Sequence, residues 1–212
     1  MIRRIFILFI SVIAFHPQIA ASETSDPVGI VTTLTGDVRI MHKGEEQTAP
    51  LTAGTKILLG DTITTINEDS LVRVDFIDNT HISLSDEDGE LTIDKYVFDP
   101  SSLDTNTAQF TILRGSFEFV GGLLDKGEKE NVQVNLDFGS IGIRGTHIHR
   151  TMKDKECWIY LEDGEIRVFN GGGSVLLTPG QSTKISSLTT SPTPAERWSE
   201  EQIKWIKAQT TN

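Results

Sequence analysis

The stretch "GSIGIRGTHIHR", residues 139–150, has three glycines at three-residue spacing, an arginine between two of them and a His-x-His pair. Glycine loops that hold phosphate have the spacing GxGxxG or GxxxxGK[ST] and lead into a helix. Neither spacing occurs here, and the "THIHR" that follows alternates in the way a strand does. The stretch therefore predicts a strand with a bend in it and excludes a phosphate loop.

The bend can be located from the order of the isoleucines. Ile141 and Ile143 lie on one face of a strand, whereas Ile148 has the opposite parity. A bulge at Gly145 brings all three to the same side, because glycine accepts the positive φ that many bulges need. We expect Arg144 to point outward beside this bend, where it can bind a carbonyl or a carboxylate.

Residues 27–185 show the same alternation of apolar and polar residues as this stretch. Short runs such as "VRVDF", "SFEFV" and "VQVNL" alternate apolar and polar residues, and they end in glycine, aspartate or asparagine. No helical period of useful length interrupts them. The pattern predicts a single all-β domain of short strands over 27–185, either solenoid-like or a sandwich.

Part of the chain repeats itself. "TGDVRI" followed by "PLTAGTKI" (35–40 and 50–57) has a counterpart in "DGEIRV" followed by "LLTPGQSTKI" (163–168 and 176–185). In each copy a turn glycine leads into a half-buried strand, and a second glycine turn leads into the next strand. Such a repeat favours stacked coils or a sandwich with related halves.

The first 22 residues have the character of an export signal. Two arginines precede an apolar run at 5–15, which is too short to span a bilayer, and small residues follow it. We expect residues 1–22 to be a signal peptide cleaved after Ala21 or Ser22. The remaining chain would then be periplasmic, on the cell surface or secreted, and not an integral membrane protein.

The C-terminal residues differ from the β domain. "SSLTTSPTP" predicts a linker at 186–193, and a helix is expected at 194–209. Thr193 would be its N-cap, Pro194 its first residue and Glu196 its capping-box acid. The apolar side chains of Trp198, Trp205 and Ile206 form a narrow stripe, which we expect to pack on the β domain.

Charge and cysteine content exclude some classes of function. The chain has 19 lysines and arginines against 30 aspartates and glutamates, for a net charge of −11, and it has no basic patch. Nucleic acid and anionic membrane surfaces repel such a chain, so we expect no nucleic-acid partner. Cys157 is the single cysteine, which excludes an internal disulfide, and its apolar neighbours predict a buried thiol.

The sequence resembles FecR-domain proteins, a family named after a regulator of ferric-citrate transport. The resemblance rests on "GSFEFVGGLLDKGEKENVQVNLDFGSIGIRGT" (115–146), and also on "TLTGDVRI", "PLTAGTKILLGDTITT" and "SLVRVDFIDNTHISL" between residues 33 and 84. It covers about residues 28–181. One departure is "DFGS" before the signature, where relatives have Thr-Pro. The structural signature comprises Gly139, Ile141, Gly142, Ile143, Arg144, Gly145 and Thr146.

The resemblance implies a non-catalytic module of the cell envelope that binds, senses or acts as a scaffold. Its partner would be an envelope protein or a glycan, and no cofactor is implied. In the founding regulators this domain follows a cytosolic anti-sigma segment and one membrane span. The expected signal comes first in this sequence, so we do not expect direct control of a sigma factor.

Two other interpretations remain open. His147 and His149 share a strand face, as in cupin-like metal enzymes, but two imidazoles need a third ligand. His42 or His81 could supply that ligand only through the fold, and we therefore expect no metal and no catalytic residue. A polysaccharide-binding module is the other alternative, suggested by Trp158, Tyr160 and Phe169.

Overall fold

A single sheet that curls into a half-barrel forms the body of the protein. The computed structural model describes residues 26–127 and 130–210, so the expected signal peptide at 1–22 lies outside the described residues. The first strands are β1 (Gly29–Thr35), β2 (Val38–Met41), β3 (Ala49–Pro50), β4 (Lys56–Ile57), β5 (Thr62–Thr65), β6 (Leu71–Phe76), β7 (His81–Ser85) and β8 (Glu90–Val97).

A short 3₁₀ turn, Leu103–Thr105, separates these strands from the second half, which ends in a helix. The remaining elements are β9 (Thr107–Leu113), β10 (Ser116–Val120), β11 (Val132–Leu136), β12 (Gly139–Lys153), β13 (Glu156–Asn170), β14 (Gly173–Leu177), β15 (Gln181–Ile185), β16 (Glu196–Arg197) and α1 (Glu200–Thr210). The prediction of an all-β fold with a C-terminal helix is confirmed.

The strands follow one path around the half-barrel. Its order is β3-β2-β5-β8-β9-β11-β12-β10-β7-β6-β1-β4, and β13 pairs with β12, β14 and β15, while β16 pairs with β15. Among the described pairs only β9 with β11 is parallel. In the described ranges, no helix combines the length and the apolar character that crossing a membrane requires.

The core lies on the concave side of the sheet. In β6 and β11, for example, alternate residues point into it, as the period of two in the sequence predicts. Three phenylalanines cross the interior in edge-on contacts, with the ring centroid of Phe110 lying 5.2 Å from that of Phe76 and 6.2 Å from that of Phe119. These rings come from β6, β9 and β10, so they tie distant parts of the path together.

The bend in the long hairpin β12–β13 lies where the sequence predicts it. The pairing register shifts between Arg144 and His147, and Gly145 has a φ of +65°. Opposite it on β13, Gly164 has a φ of +88°. The three isoleucines of β12 are all fully buried as a result: Ile141, Ile143 and Ile148.

The internal repeat is also a repeat of strand pairing. In the first copy Ile30 pairs with Lys56 and Arg39 pairs with Pro50. In the second copy the corresponding residues pair in the same way, Trp158 with Lys184 and Arg167 with Leu176. Strand β13 therefore corresponds to β1 and β2 joined, and β14 and β15 correspond to β3 and β4.

The helix begins at Glu200, six residues later than the sequence analysis predicted at 194. The predicted N-cap, Thr193, instead accepts a hydrogen bond from the Thr183 hydroxyl, and Glu196 lies in β16, paired with β15. Glu196 and Arg197 remain extended because they pair with Ser182 and Gln181 of β15. The predicted linker at 186–193 connects β15 to this segment, and Asn170 holds it by donating to two of its carbonyls.

The N-cap of α1 is Ser199. Its hydroxyl accepts from the Gln202 amide at 3.3 Å, and its own amide donates to the Gln202 side-chain oxygen at 2.9 Å. This is a capping box, the motif that was predicted from the sequence six residues earlier, with Thr193 as the N-cap.

Candidate functional site

The signature residues build the bend and its surroundings. The side chains of Ile141 and Ile143 lie in the core. Arg144 is exposed, and its guanidinium lies 3.8 Å from the Glu165 carboxylate across the hairpin. A surface ion pair of this kind contributes little stability.

Three other signature residues lie close to groups of neighbouring segments. A Cβ atom on Gly139 would lie 2.6 Å from the carbonyl oxygen of Phe169, and one on Gly142 would lie 2.6 Å from the carboxylate of Glu130. Thr146 is buried, and its amide donates to the Asp125 carboxylate at 2.9 Å.

The convex face of the sheet carries a cluster of ionisable side chains beside the bend. Glu118 of β10 pairs in register with His149 of β12, and His147 lies two residues before it on the same face. Nε2 of His147 is 2.8 Å from Oε1 of Glu118, and the imidazole centroids of the two histidines are 4.7 Å apart. The sequence predicted the shared face of the histidines, and the fold adds the glutamate.

A second glutamate joins from β13. The register of β12 against β13 shifts again between His147 and Ile148, which leaves Glu162 as an additional residue on β13. Oε2 of Glu162 lies 3.1 Å from Nε2 of His149 and 3.5 Å from Nδ1 of His147. Two carboxylates therefore flank the two imidazoles. We call Glu118, His147, His149 and Glu162 the histidine cluster.

Helix α1 covers one side of the histidine cluster. Oγ1 of Thr210 lies 2.7 Å from Nδ1 of His149, and the ammonium of Lys207 lies 2.6 Å from Oε1 of Glu162. His149 is 1% exposed beneath the helix, whereas the side chain of His147 is 28% exposed. The part of the cluster that faces solvent is thus formed by His147 and by Glu162, whose side chain is 33% exposed.

The environment fixes the charge of the cluster. Burial lowers the pKa of His149, against a smaller opposing effect of its hydrogen bond to Glu162. For Glu118, burial acts to raise the pKa, but the hydrogen bond with His147 and the nearby imidazoles together bring it below its usual range. The pKa of Glu162 is lowered in the same way, mainly by Lys207 and His149. At neutral pH the cluster therefore holds two carboxylates and a neutral His149.

The two histidines named as possible third ligands lie elsewhere. Nδ1 of His42 is 2.9 Å from the buried carboxylate of Asp61, and Nδ1 of His81 is 2.9 Å from Asp75. The acid that does lie beside the histidines of the cluster, Glu118, was not predicted from the sequence. The alternation of "SFEFV" predicts that Glu118 points outward between Phe117 and Phe119. The sequence does not show which residues of β12 lie beside it.

The aromatic residues proposed for glycan binding do not form one platform. Tyr160 is buried under Trp198, with rings stacked at 6.1 Å, and Trp158 packs against Trp198 and Trp205. Phe169 lies nine residues beyond Tyr160 on β13, a distance of about 30 Å along the strand. These contacts hold α1 against the sheet, as the apolar stripe predicted.

No family model matches the chain, and no curated protein matches it. Among solved structures, the fold is similar to two crystal structures of a "putative anti-sigma factor" from Parabacteroides distasonis. Each match has a TM-score of 0.50 at 12% sequence identity and covers 69% of this chain. The matched region spans 64% of the other chain, less than two thirds of its length. At this level of identity the similarity establishes a shared fold.

Proposed function

We propose that the protein is a non-catalytic binding and sensing module of the FecR type that acts in the cell envelope. The observation that carries the proposal is the similarity of its fold to that of the Parabacteroides distasonis protein, which is described as a "putative anti-sigma factor". The FecR-type signature at 139–146 and the expected signal peptide at 1–22 support the same role from the sequence.

The partner would be an envelope protein that adds a strand to the edge of the sheet. Strand β14 pairs with β13 alone among the described strands, and its sequence "GSVLL" carries no charge. Leu176, the fourth residue of this strand, is 51% exposed. Uncharged, exposed edge strands are the surfaces that pair with an extended segment of another chain.

Photocrosslinking in the native host tests the proposed partner surface. A photoreactive amino acid at Leu176 should capture one envelope protein, whereas the same amino acid at Leu188, a leucine of similar exposure in a loop, should not. Leu176→Lys should weaken capture from a second position on β14 at least about tenfold, because a charge on an edge strand opposes pairing. Equal capture from both leucines, or an unaffected Leu176→Lys variant, would reject strand addition at β14.

The compartment is tested on the same cells. Mass spectrometry of the purified chain should give a first residue at Ser22 or Glu23, and fractionation should recover the protein with the envelope. An intact N-terminus in the cytosolic fraction would exclude the proposed role.

A further inference from the structure

We propose that Glu118, His147 and His149, with Glu162 as the fourth group, form a binding site for a divalent transition-metal ion of the Zn²⁺ class. The inference goes beyond the proposed envelope role and does not depend on it. It rests on the arrangement of ligand atoms, the formal charge and the support that α1 gives to the site.

The ligand atoms are close enough to converge on one ion. Glu118, His147 and His149 each offer a nitrogen or oxygen within 4.8 Å of the other two. A tetrahedral Zn²⁺ ion bound at 2.0–2.2 Å holds its ligands about 3.3 Å apart. Each imidazole can bind an ion through one nitrogen, and Nε2 of His147 lies 2.8 Å from Oε1 of Glu118, while Nε2 of His149 lies 3.1 Å from Oε2 of Glu162; both separations are near this value.

The composition of the cluster suits this ion. Two imidazoles and two carboxylates are ligands that Zn²⁺ and its neighbours in the first transition series accept, and the two carboxylates outweigh the Lys207 ammonium beside Glu162, which leaves a net negative charge for a divalent cation. Magnesium and calcium favour all-oxygen sites and fit less well. The partial exposure of His147 gives the ion a route from solvent.

Helix α1 orients the ligands from behind. Metal-binding imidazoles are usually held through their second nitrogen, and Thr210 contacts Nδ1 of His149 at 2.7 Å. Lys207 contacts the Glu162 oxygen that faces away from the imidazoles. Because both contacts come from α1, an ion in the site would also strengthen the attachment of the helix to the sheet.

Zinc titration of the full chain, purified without a histidine tag and stripped with a chelator, tests the proposal. Isothermal calorimetry should give one equivalent of Zn²⁺ bound, and Zn²⁺ should raise the melting temperature. Co²⁺ in the same site should give the intense visible absorption of tetrahedral coordination. His147→Ala and Glu118→Gln should each weaken Zn²⁺ binding by about 100-fold or more, and Thr210→Val by about tenfold.

His81→Ala is the matched control, because His81 lies on the same face two strands away and pairs with Asp75. It should bind Zn²⁺ as the unaltered chain does. Circular dichroism without metal identifies any variant that fails to fold, and Glu118→Gln then stands in for His147→Ala. Absence of saturable Zn²⁺ binding, or equal binding by the His147→Ala and His81→Ala variants, would overturn the site and leave the cluster as a set of ion pairs.

Discussion

At the scale of single residues, the bend in the β12–β13 hairpin depends on two glycines that face each other. Both Gly145 and Gly164 have positive φ, which costs other residues about 1 kcal/mol or more. A Cβ atom on Gly164 would also lie 2.0 Å from the carbonyl oxygen of Gly145, whereas one on Gly145 would meet no atom closer than 3.9 Å. A side chain is therefore excluded more strictly at Gly164 than at Gly145, although Gly164 lies in the strand opposite the predicted bulge.

Gly164→Ala should lower the free energy of unfolding by at least about 3 kcal/mol, because both strands must shift to admit the methyl group. Gly54→Ala is the control, since Gly54 has a similar φ of +85° and no atom within 4 Å of its added Cβ. Gly54→Ala should lower the free energy of unfolding by about 1 kcal/mol. Urea unfolding measures both values, and equal losses would show that φ strain alone acts at Gly164.

The pKa of Asp125 is raised, mainly by burial, although the Thr146 amide and Lys126 oppose the shift. The folded chain then binds this proton more tightly than the unfolded chain, so the ionised carboxylate destabilises the fold at neutral pH. The penalty disappears as pH falls through the folded-state pKa toward the unfolded value of about 3.9. Asparagine keeps an oxygen that can accept from Thr146 and does not titrate.

Asp125→Asn should therefore be most favourable, relative to the unaltered chain, near pH 7. The difference in unfolding free energy should shift steadily in favour of the unaltered chain as pH is lowered from 7 to 4. Chemical denaturation at matched pH values measures it. A difference that is constant or changes in the opposite direction would contradict a raised pKa at Asp125.

At the scale of elements, α1 depends on its cap and on the aromatic contacts beneath it. Ser199 and Gln202 satisfy backbone donors at the start of the helix, and Ile206 is fully buried against Tyr160 and Trp198. Eleven residues are too few for an isolated helix to be stable in water. The docked state of α1 is therefore sensitive to the loss of one hydrogen bond.

Ser199→Ala should lower the free energy of local unfolding of α1 by about 1 kcal/mol. Amide exchange at 203–210 should then accelerate about fivefold, while exchange in the central strands remains unchanged. Ser199→Asp, which restores a capping oxygen, should return exchange to its original rate. Faster exchange throughout the sheet would instead mean that helix and sheet open together.

At the scale of the whole molecule, one continuous sheet encloses one apolar interior. Phe110 contacts Phe76 from a strand five places away along the sheet path, so the two arms of the half-barrel share a core. Contacts between residues so far apart in sequence form late and slow the folding of β proteins. The two copies of the repeat should accordingly fold together, although their strand pairings are alike.

Phe110→Ala should lower the free energy of unfolding by about 3–5 kcal/mol. Leu188→Ala, at an exposed loop position, should change it by less than about 0.5 kcal/mol. Tryptophan fluorescence and far-ultraviolet circular dichroism should report a single transition for both variants. Two separated transitions would show that the halves of the sheet have independent cores.

The sequence by itself determined the strands, the repeat, the position of the bulge and the buried Cys157, because alternation and glycine requirements act between neighbours in the chain. It also placed the two histidines on one face. It put the start of α1 too early, because Glu196 and Arg197, which were expected in the helix, pair with β15 instead. Local signals carry no information about such a partner.

Only the tertiary structure decided which side chains meet. Glu118 is 29 residues from His147, and Thr210 is 61 residues from His149, so sheet register and helix docking bring them together. The same holds for Arg150, which is fully buried and donates to the Gly115 carbonyl and to the Cys157 sulfur. The physical reason is that pairing between strands far apart in the sequence sets these neighbours. The alternation within one strand determines which face of the sheet a side chain lies on, but it does not determine the register against another strand.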